Sequence, residues 1–250
     1  MTDKVKTPKI IHYCWFGGNN LPDLAVKCIA SWRKYLPDYE IKEWNETNFD
    51  VNIIPYTSQA YKAKKYAFVS DYARFWILYN YGGLYFDTDV ELIKPIDDII
   101  QRGPFMGCEN DVKKANLLNV APGLGLGAPA GLEIYKKLLA KYDSLSFELA
   151  GISNKQITIV QITTDLLLSK GLQSTKEIQE IEGIFIYPKE FFCPIDYLSG
   201  KCVITEKTRS IHHYAATWVG KKQKLFFFIS KHISPSFASF CSKCFKLIVR

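Results

Sequence analysis

What the chain lacks narrows the field first. No window of its 250 residues reaches the apolar length of a transmembrane span. The N-terminal stretch MTDKVKTPKIIHY is charged and holds no apolar run of secretory-signal length. The seven cysteines are scattered and odd in number, which argues against a disulfide framework and for reduced thiols, so a cytoplasmic protein is expected. Cys241 and Cys244 are the only tight pair, and with no second pair nearby a zinc or redox site is not expected there. There is no internal repeat and no low-complexity linker. Acidic residues are missing from 221–250, where seven Lys and Arg account for the whole net charge of +7. A nucleic-acid reader spreads its basic residues over a surface of its folded domain. Here they sit in a terminal segment, and no nucleic-acid partner is expected.

What is present describes an ordinary folded chain, long enough to bury a large core. Aromatic residues are abundant, and Tyr and Trp suit both cores and the stacking of sugars or bases. Residues 9–16 (KIIHYCWF) predict a buried strand that ends at Gly17 and Gly18, with His12 a core residue. Leu24, Cys28, Ile29 and Trp32 share a helical face. A second strand is expected over 39–44, and a long helix from about Ser58 to Tyr81, ended by Gly82 and Gly83. Leu84–Asp87 then reads as a buried strand. Helices are expected over 132–142 and 165–170, and short strands over 184–187 and 210–214. Strands alternating with helices predict an α/β fold, a mainly parallel sheet with helices on both faces.

The run SDYARFWILYNYGGLYFDTD, Ser70 to Asp89, carries the chemistry. Asp71, Arg74 and Leu78 fall on one helical stripe. The paired glycines let the chain turn into a strand that delivers Asp87 and Asp89 at its carboxyl end, where open α/β sheets place their ligands. Two carboxylates so spaced can hold Mn²⁺ or Mg²⁺ while leaving positions free for phosphate oxygens. A bare D-x-D arises roughly once by chance in a chain of this length. An apolar strand ending in that pair, fed by two glycines and a helix bearing Asp and Arg, is far harder to obtain by accident.

The pattern S-D-x-x-R-x-x-x-L-x-x-x-G-G-x-Y-x-D-x-D resembles the signature of glycosyltransferase family 32. That group includes fungal initiating α-mannosyltransferases, bacterial capsule and surface-polysaccharide enzymes, and the clostridial glucosylating toxins. The resemblance covers residues 8 to about 218. It implies a GT-A, Rossmann-like fold, a nucleotide-sugar donor (UDP-sugar favoured, GDP-mannose open), a glycan or lipid-linked glycan acceptor, and retention of configuration. By the same resemblance Asp89 is the direct metal ligand, and Asp87 contacts the ribose and the metal shell. Asp71 and Arg74 bind the donor sugar, and Tyr85 stands beside the donor.

Two flanking patches complete the expected site. Trp15 matches an aromatic that stacks on the nucleotide base. In the segment SIHHYAATW, 210–218, related enzymes place a late metal ligand and, about five residues on, a tryptophan that donates its indole N–H to the leaving diphosphate. That spacing picks His213 and Trp218. Strand alternation turns only one of the two histidines toward the site, so His212 is the alternative. The segment 119–128, with Gly123, Gly125 and Gly127, resembles the family's glycine-rich stretch under the donor sugar, without the polar residue the family carries near Ala121. Thr163, Thr164 and Asp165 either line the acceptor side or cap a helix.

Two domains of unequal kind are expected: a catalytic unit over 1–220 and a tail over 221–250. The tail joins its seven cations to Phe226, Phe227, Phe228, Phe237, Phe240 and Phe245, which fits peripheral contact with the anionic inner face of a membrane. Two other classes compete with a transferase. An aspartate-nucleophile phosphatase of pattern D-x-D-x-T has Thr where this chain has Glu91. A catalytically silent carbohydrate- or nucleotide-binding protein has no need of an intact Asp71, Arg74, Asp87 and Asp89 set. For the tail, the full chain is expected to float with anionic liposomes and a chain ended at Gly220 to stay behind; equal behaviour of the two removes the anchor.

Overall fold

The computed structural model describes residues 6–110, 118–147, 157–196 and 200–215. The boundary expected near Gly220 and the tail of 221–250 lie outside the described residues. The first strand, β1 (Ile10–Cys14), sends alternate side chains to opposite faces. Ile11 and Tyr13 join one apolar cluster and Cys14 joins the other. Helix α1 (Asp23–Tyr35) covers the first face through Cys28, Ile29 and Trp32, with Ala25 also buried and Leu24 at the edge. Strand β2 (Glu40–Trp44) pairs in parallel with β1.

The single helix expected from Ser58 to Tyr81 is two helices, α2 (Pro55–Lys62) and α3 (Tyr66–Tyr81). Pro55 opens α2 earlier than expected, at a position where its missing N–H costs nothing. The break between them is a Schellman turn. Lys65 N–H reaches Ala60 O and Lys64 N–H reaches Tyr61 O, both at 2.9 Å, with Lys64 at φ 57°. Glycine usually takes that left-handed position, so a lysine there conceals the break from the sequence.

Strand β3 (Gly83–Tyr85) returns beside β1, again in parallel. There follow β4 (Val90–Leu92), α4 (Asp97–Arg102), β5 (Phe105–Gly107), a 3-10 turn (Pro122–Leu124), β6 (Leu126–Ala128), α5 (Glu133–Tyr142) and α6 (Ile159–Leu168). Then come β7 (Gln179–Ile181), β8 (Ile184–Tyr187), α7 (Lys189–Phe192) and β9 (Ser210–His212). Seven strands make one sheet in the order β2-β1-β3-β6-β5-β8-β7. Five run the same way, and β6 and β7 run against them. This is the mainly parallel α/β sheet expected, with α1 on one face and α3 and α5 on the other. Strands β4 and β9 form a separate antiparallel pair. Most of the unexpected strands are three residues long, too short for alternation to register. Helix α6 begins six residues before the expected start, capped by the Thr158 hydroxyl accepting from Gln161 N–H. Thr163, Thr164 and Asp165 are therefore interior to it and do not cap it. Among the described residues no helix is long and apolar enough to cross a membrane.

His12 is the core residue expected, 1 % exposed. The Trp44 indole can only donate, so His12 Nδ1, 3.0 Å away, accepts. The ring proton is then on Nε2, which donates to Gly82 O at 3.0 Å. Burial lowers the imidazole pKa to about 4, against the raising effect of the Gly82 bond. Below pH 6.5 the unfolded chain takes up a proton that the folded ring refuses, so stability falls with pH, by about 2 kcal/mol at pH 5. His12→Gln can make both hydrogen bonds and titrates in neither state. Urea unfolding at pH 7 and pH 5 should show the variant losing less stability than the wild type by about that amount; equal losses would mean that the buried ring accepts a proton in place.

Candidate active site

The site grows out of the turn that joins α3 to β3. Gly82, at φ 64°, closes α3 with its N–H on Leu78 O, and Gly83 follows at φ 103°. A Cβ at Gly82 would stand 2.6 Å from Ala130 N, and one at Gly83 2.7 Å from Ile10 O. Both the left-handed backbone and the close approach demand glycine. The chain can thus reverse and lay β3 directly on β1. Leu84 and Phe86 enter one apolar cluster and Tyr85 the other, so the strand is covered on both faces and its polar residues emerge only at its end.

Arg74 organises what emerges. Its guanidinium is 4 % exposed; Nη2 donates to Asp71 Oδ1 at 2.8 Å and lies 3.2 Å from Asp87 Oδ1, while Nη1 donates to Asp87 Oδ2 at 3.3 Å. Nε is satisfied by Ser70 O at 3.2 Å. Beneath lies the ring of Tyr85, 4.9 Å from Cζ, whose hydroxyl donates to Asp87 Oδ1 at 3.2 Å. Tyr85 itself is buried at 1 % exposure, so it supports Asp87 and Arg74 from below. One cation is shared between two carboxylates, Asp71 mostly buried and Asp87 30 % exposed. Burial pushes the Asp71 carboxyl up to about 7, Arg74 opposing and Asp87 adding to the rise. Burial raises Asp87 too, again against Arg74.

Asp89 faces the other way, toward β9. Its carboxylate accepts from Ala215 N–H at 2.8 Å, its backbone carbonyl accepts from His213 N–H at 2.9 Å, and Oδ1 lies 3.3 Å from His212 Nε2. Burial works to raise the Asp89 carboxyl, but the His212 and Ala215 bonds outweigh it and hold the group below its ordinary value. For His212 burial works downward, and the Asp89 bond more than reverses it, to about 10. Asp87, Asp89 and His212 offer ligand atoms within 4.8 Å of one another. Two carboxylates and an imidazole are a fitting donor set for Mn²⁺, and less so for Mg²⁺, which favours oxygen alone.

The histidine in this cluster is His212, the expected alternative, and His213 lies outside it. Antiparallel pairing sets Val90 opposite His212, and alternation turns the next side chain away. The His213 ring pairs instead with Glu91, Nε2 to Oε2 at 2.8 Å, and Lys27 reaches the same oxygen at 2.8 Å. Trp218 lies outside the described residues.

Asp87, Asp89 and His212 line a cavity of about 1100 Å³. Trp15 stands on its wall, its indole N–H bonded to Asn19 O at 2.7 Å. Asp71, Arg74, Ala121, Gly123, Thr164 and Asp165 line it as well. So does Glu109, which sequence reasoning missed; Asn119 Nδ2 donates to its Oε1 at 3.3 Å. Glu109 closely follows the apolar strand β5, the same signal that pointed to Asp87 after β3. Tyr214, on the wall beside His212, carried no such signal.

Residues 22–106 match a family model described as the glycosyltransferase sugar-binding region containing the DXD motif. That window holds Asp71, Arg74, Tyr85, Asp87 and Asp89 and ends well before His212. The chain is 29 % identical over 112 residues to inositol phosphoceramide mannosyltransferase 1 of Schizosaccharomyces pombe, covering 40 % of this chain and 34 % of that protein. It is 27 % identical over 139 residues to inositol phosphoceramide mannosyltransferase 3 of the same yeast, covering 52 % and 37 %. The chain thus spans little more than a third of the length of these curated relatives. Among solved structures it is similar to the PaToxG glycosyltransferase, with a TM-score of 0.50 and 19 % identity over 66 % of this chain and 70 % of that one, a likeness of fold. The resemblance read from Ser70 to Asp89 and the GT-A fold are both met.

Gly123 supplies a test of the geometry. Its carbonyl accepts from Asp87 N–H at 3.2 Å, and a Cβ there would lie 2.1 Å from Asp87 Oδ2 and 3.3 Å from Arg74 Nη1. Gly123→Ala must push the carboxylate aside. We expect it to remain folded by circular dichroism and to bind Mn²⁺ at least roughly tenfold more weakly in an electron paramagnetic resonance titration; unchanged affinity in the folded variant would remove Asp87 from the ligand set.

Proposed function

We propose that this chain is a retaining glycosyltransferase that moves a sugar from a nucleotide-sugar donor to a glycan or lipid-linked glycan acceptor, in the building of a surface polysaccharide such as a capsule. One observation carries the reading: the Asp87–Asp89–His212 cluster and the Asp71–Arg74 pair share one cavity, at the carboxyl end of a parallel strand inside the segment that matches the DXD family. A divalent cation held by Asp87, Asp89 and His212 would supply charge neutralisation for the departing nucleoside diphosphate.

The chain's own groups do the rest. Arg74, locked between Asp71 and Asp87, presents a positive edge that needs no reorganisation when negative charge develops on the leaving group. Asp71 accepts hydrogen bonds from donor-sugar hydroxyls, which fixes the anomeric carbon relative to the acceptor. Trp15 offers a π face to the nucleotide base. Trp218 gives an indole N–H to the diphosphate. The acceptor hydroxyl attacks from the leaving-group side and its proton passes to the leaving phosphate, so no protein base is assigned. Glu91 where a D-x-D-x-T phosphatase has Thr, and its engagement with His213 and Lys27, disfavour the phosphatase reading. The basic, aromatic tail would bring the enzyme to a lipid-linked acceptor at the inner face of the membrane. UDP-sugars are the first donors to try, and the yeast relatives' names put a mannosyl donor beside them.

The test is a donor panel with Mn²⁺, read as release of free nucleoside diphosphate. One donor should be hydrolysed slowly without acceptor and faster with it, and Asp89→Ala should lose at least about a thousandfold of that rate while keeping its fold. Silence across UDP- and GDP-sugars, with no nucleotide binding, overturns the transferase in favour of a silent binder.

A further inference from the structure

A histidine that ligates a cation through one ring nitrogen keeps a proton on the other, and that proton needs an acceptor, ordinarily a carboxylate, a carbonyl or water. In His212, Nε2 is the atom facing Asp89, 3.3 Å from Oδ1. The opposite nitrogen, Nδ1, is buried and has no hydrogen-bond partner. The thiol of Cys193, 0 % exposed, lies near the ring, and Tyr214, in contact with that ring, reaches the sulfur with its hydroxyl at 2.9 Å. Cys193 closes helix α7, its N–H on Lys189 O at 2.9 Å, and Ser210 Oγ ties β9 to the same turn through Phe192 O at 3.3 Å.

The sulfur's own partners leave one place open. Its S–H points to Ile195 O at 3.9 Å, and the Tyr214 hydroxyl lies 2.9 Å from it. With the thiol proton directed at Ile195, the tyrosine donates and occupies one lone pair. The other is available to an N–H. Tyr214 also packs its ring against His212, centroids 4.3 Å apart and planes tilted by 52°, and is held at φ 50°, a strained conformation for a side chain of that size. The backbone is thus distorted at the point where it keeps both rings against the thiol.

We propose that Cys193 is the positioning residue of His212: its sulfur accepts the Nδ1 proton and so fixes the tautomer that leaves Nε2 free for a divalent cation, with Tyr214 holding the sulfur in place. The role rests on the cluster being a cation site, as in the function proposed above. A thiol is a soft, weak acceptor, in keeping with Nδ1 having no hydrogen bond without a cation; coordination at Nε2 makes Nδ1–H a stronger donor and draws the sulfur to it.

The experiment is a Mn²⁺ titration of the full chain by electron paramagnetic resonance, without nucleotide. Cys193→Ala should weaken binding about tenfold to a hundredfold, and Cys193→Ser, which keeps an acceptor, should stay within about threefold of the wild type. Should alanine leave the protein unfolded, Cys193→Val is the second variant, close to cysteine in volume and without an acceptor. In a His212→Ala background Cys193→Ala should have no further effect. Unchanged Mn²⁺ affinity in folded Cys193→Ala, or an equal loss with and without His212, overturns the positioning role and leaves the cation site standing. Absence of a Mn²⁺ site in the wild type, or its survival in Asp89→Ala, overturns the cation site and this role with it.

Discussion

The arrangement depends on one buried cation. Arg74 sits in the core, and a guanidinium there without partners would be untenable. Asp71 arrives on the same helix one turn earlier, and Asp87 arrives from the next strand, so the ion pairs tie α3 to the end of β3. Removing one carboxylate leaves Arg74 paired with the other, so the charge stays balanced, but the tie between α3 and the end of β3 is lost. The turn between the two elements must then be as short as it is. Gly82 and Gly83 allow it, and Gly123 lets the neighbouring loop close onto Asp87 with no side chain in between. Fold and site are one construction at this point, because the residues that satisfy Arg74 also face the cavity.

Asp89 makes a second, longer connection. Its side chain and carbonyl accept from backbone N–H groups of Ala215 and His213, so the carboxylate orients the end of β9 as well as offering an oxygen to a cation. The small β4–β9 sheet supplies the register, with Val90 opposite His212. His213 and Glu91 bond on the far side and keep the strand from rolling. A donor set drawn from positions 87, 89 and 212 is therefore assembled by pairing distant in sequence, and its quality is set by that pairing.

What could be read beforehand follows the same division. The Ser70–Asp89 run was legible because helix, glycine turn, strand and carboxylates are contiguous, and each local preference agrees with the next. The core stripe of α1 and the burial of His12 were legible from periodicity alone. The parity of His212 and His213 was not: it depends on which face of a three-residue strand meets β4, and two adjacent histidines carry no phase. The break at Lys64 was hidden because lysine occupies a left-handed position where glycine gives the usual signal. Glu109 was visible in kind, an acid closely following an apolar strand with Asp111 two residues on, but no glycine pair and no helix bearing Asp and Arg lead into that strand, so it did not stand out.

Cys193 belongs to a different category of the illegible. In sequence it is a lone cysteine after FF, at the end of a four-residue helix, with no spacing to link it to a histidine nineteen positions later. Its meaning comes entirely from where the fold sets it. Tertiary structure brings a buried sulfur near an imidazole whose second, buried nitrogen lacks a partner, and packs a tyrosine against both. Local preference builds the carboxylate half of the site, whereas the imidazole half and its support exist only through packing. A chain can therefore carry every residue of the Ser70–Asp89 signature and still lack a complete cluster, since His212 lies outside the run by which the family is recognised.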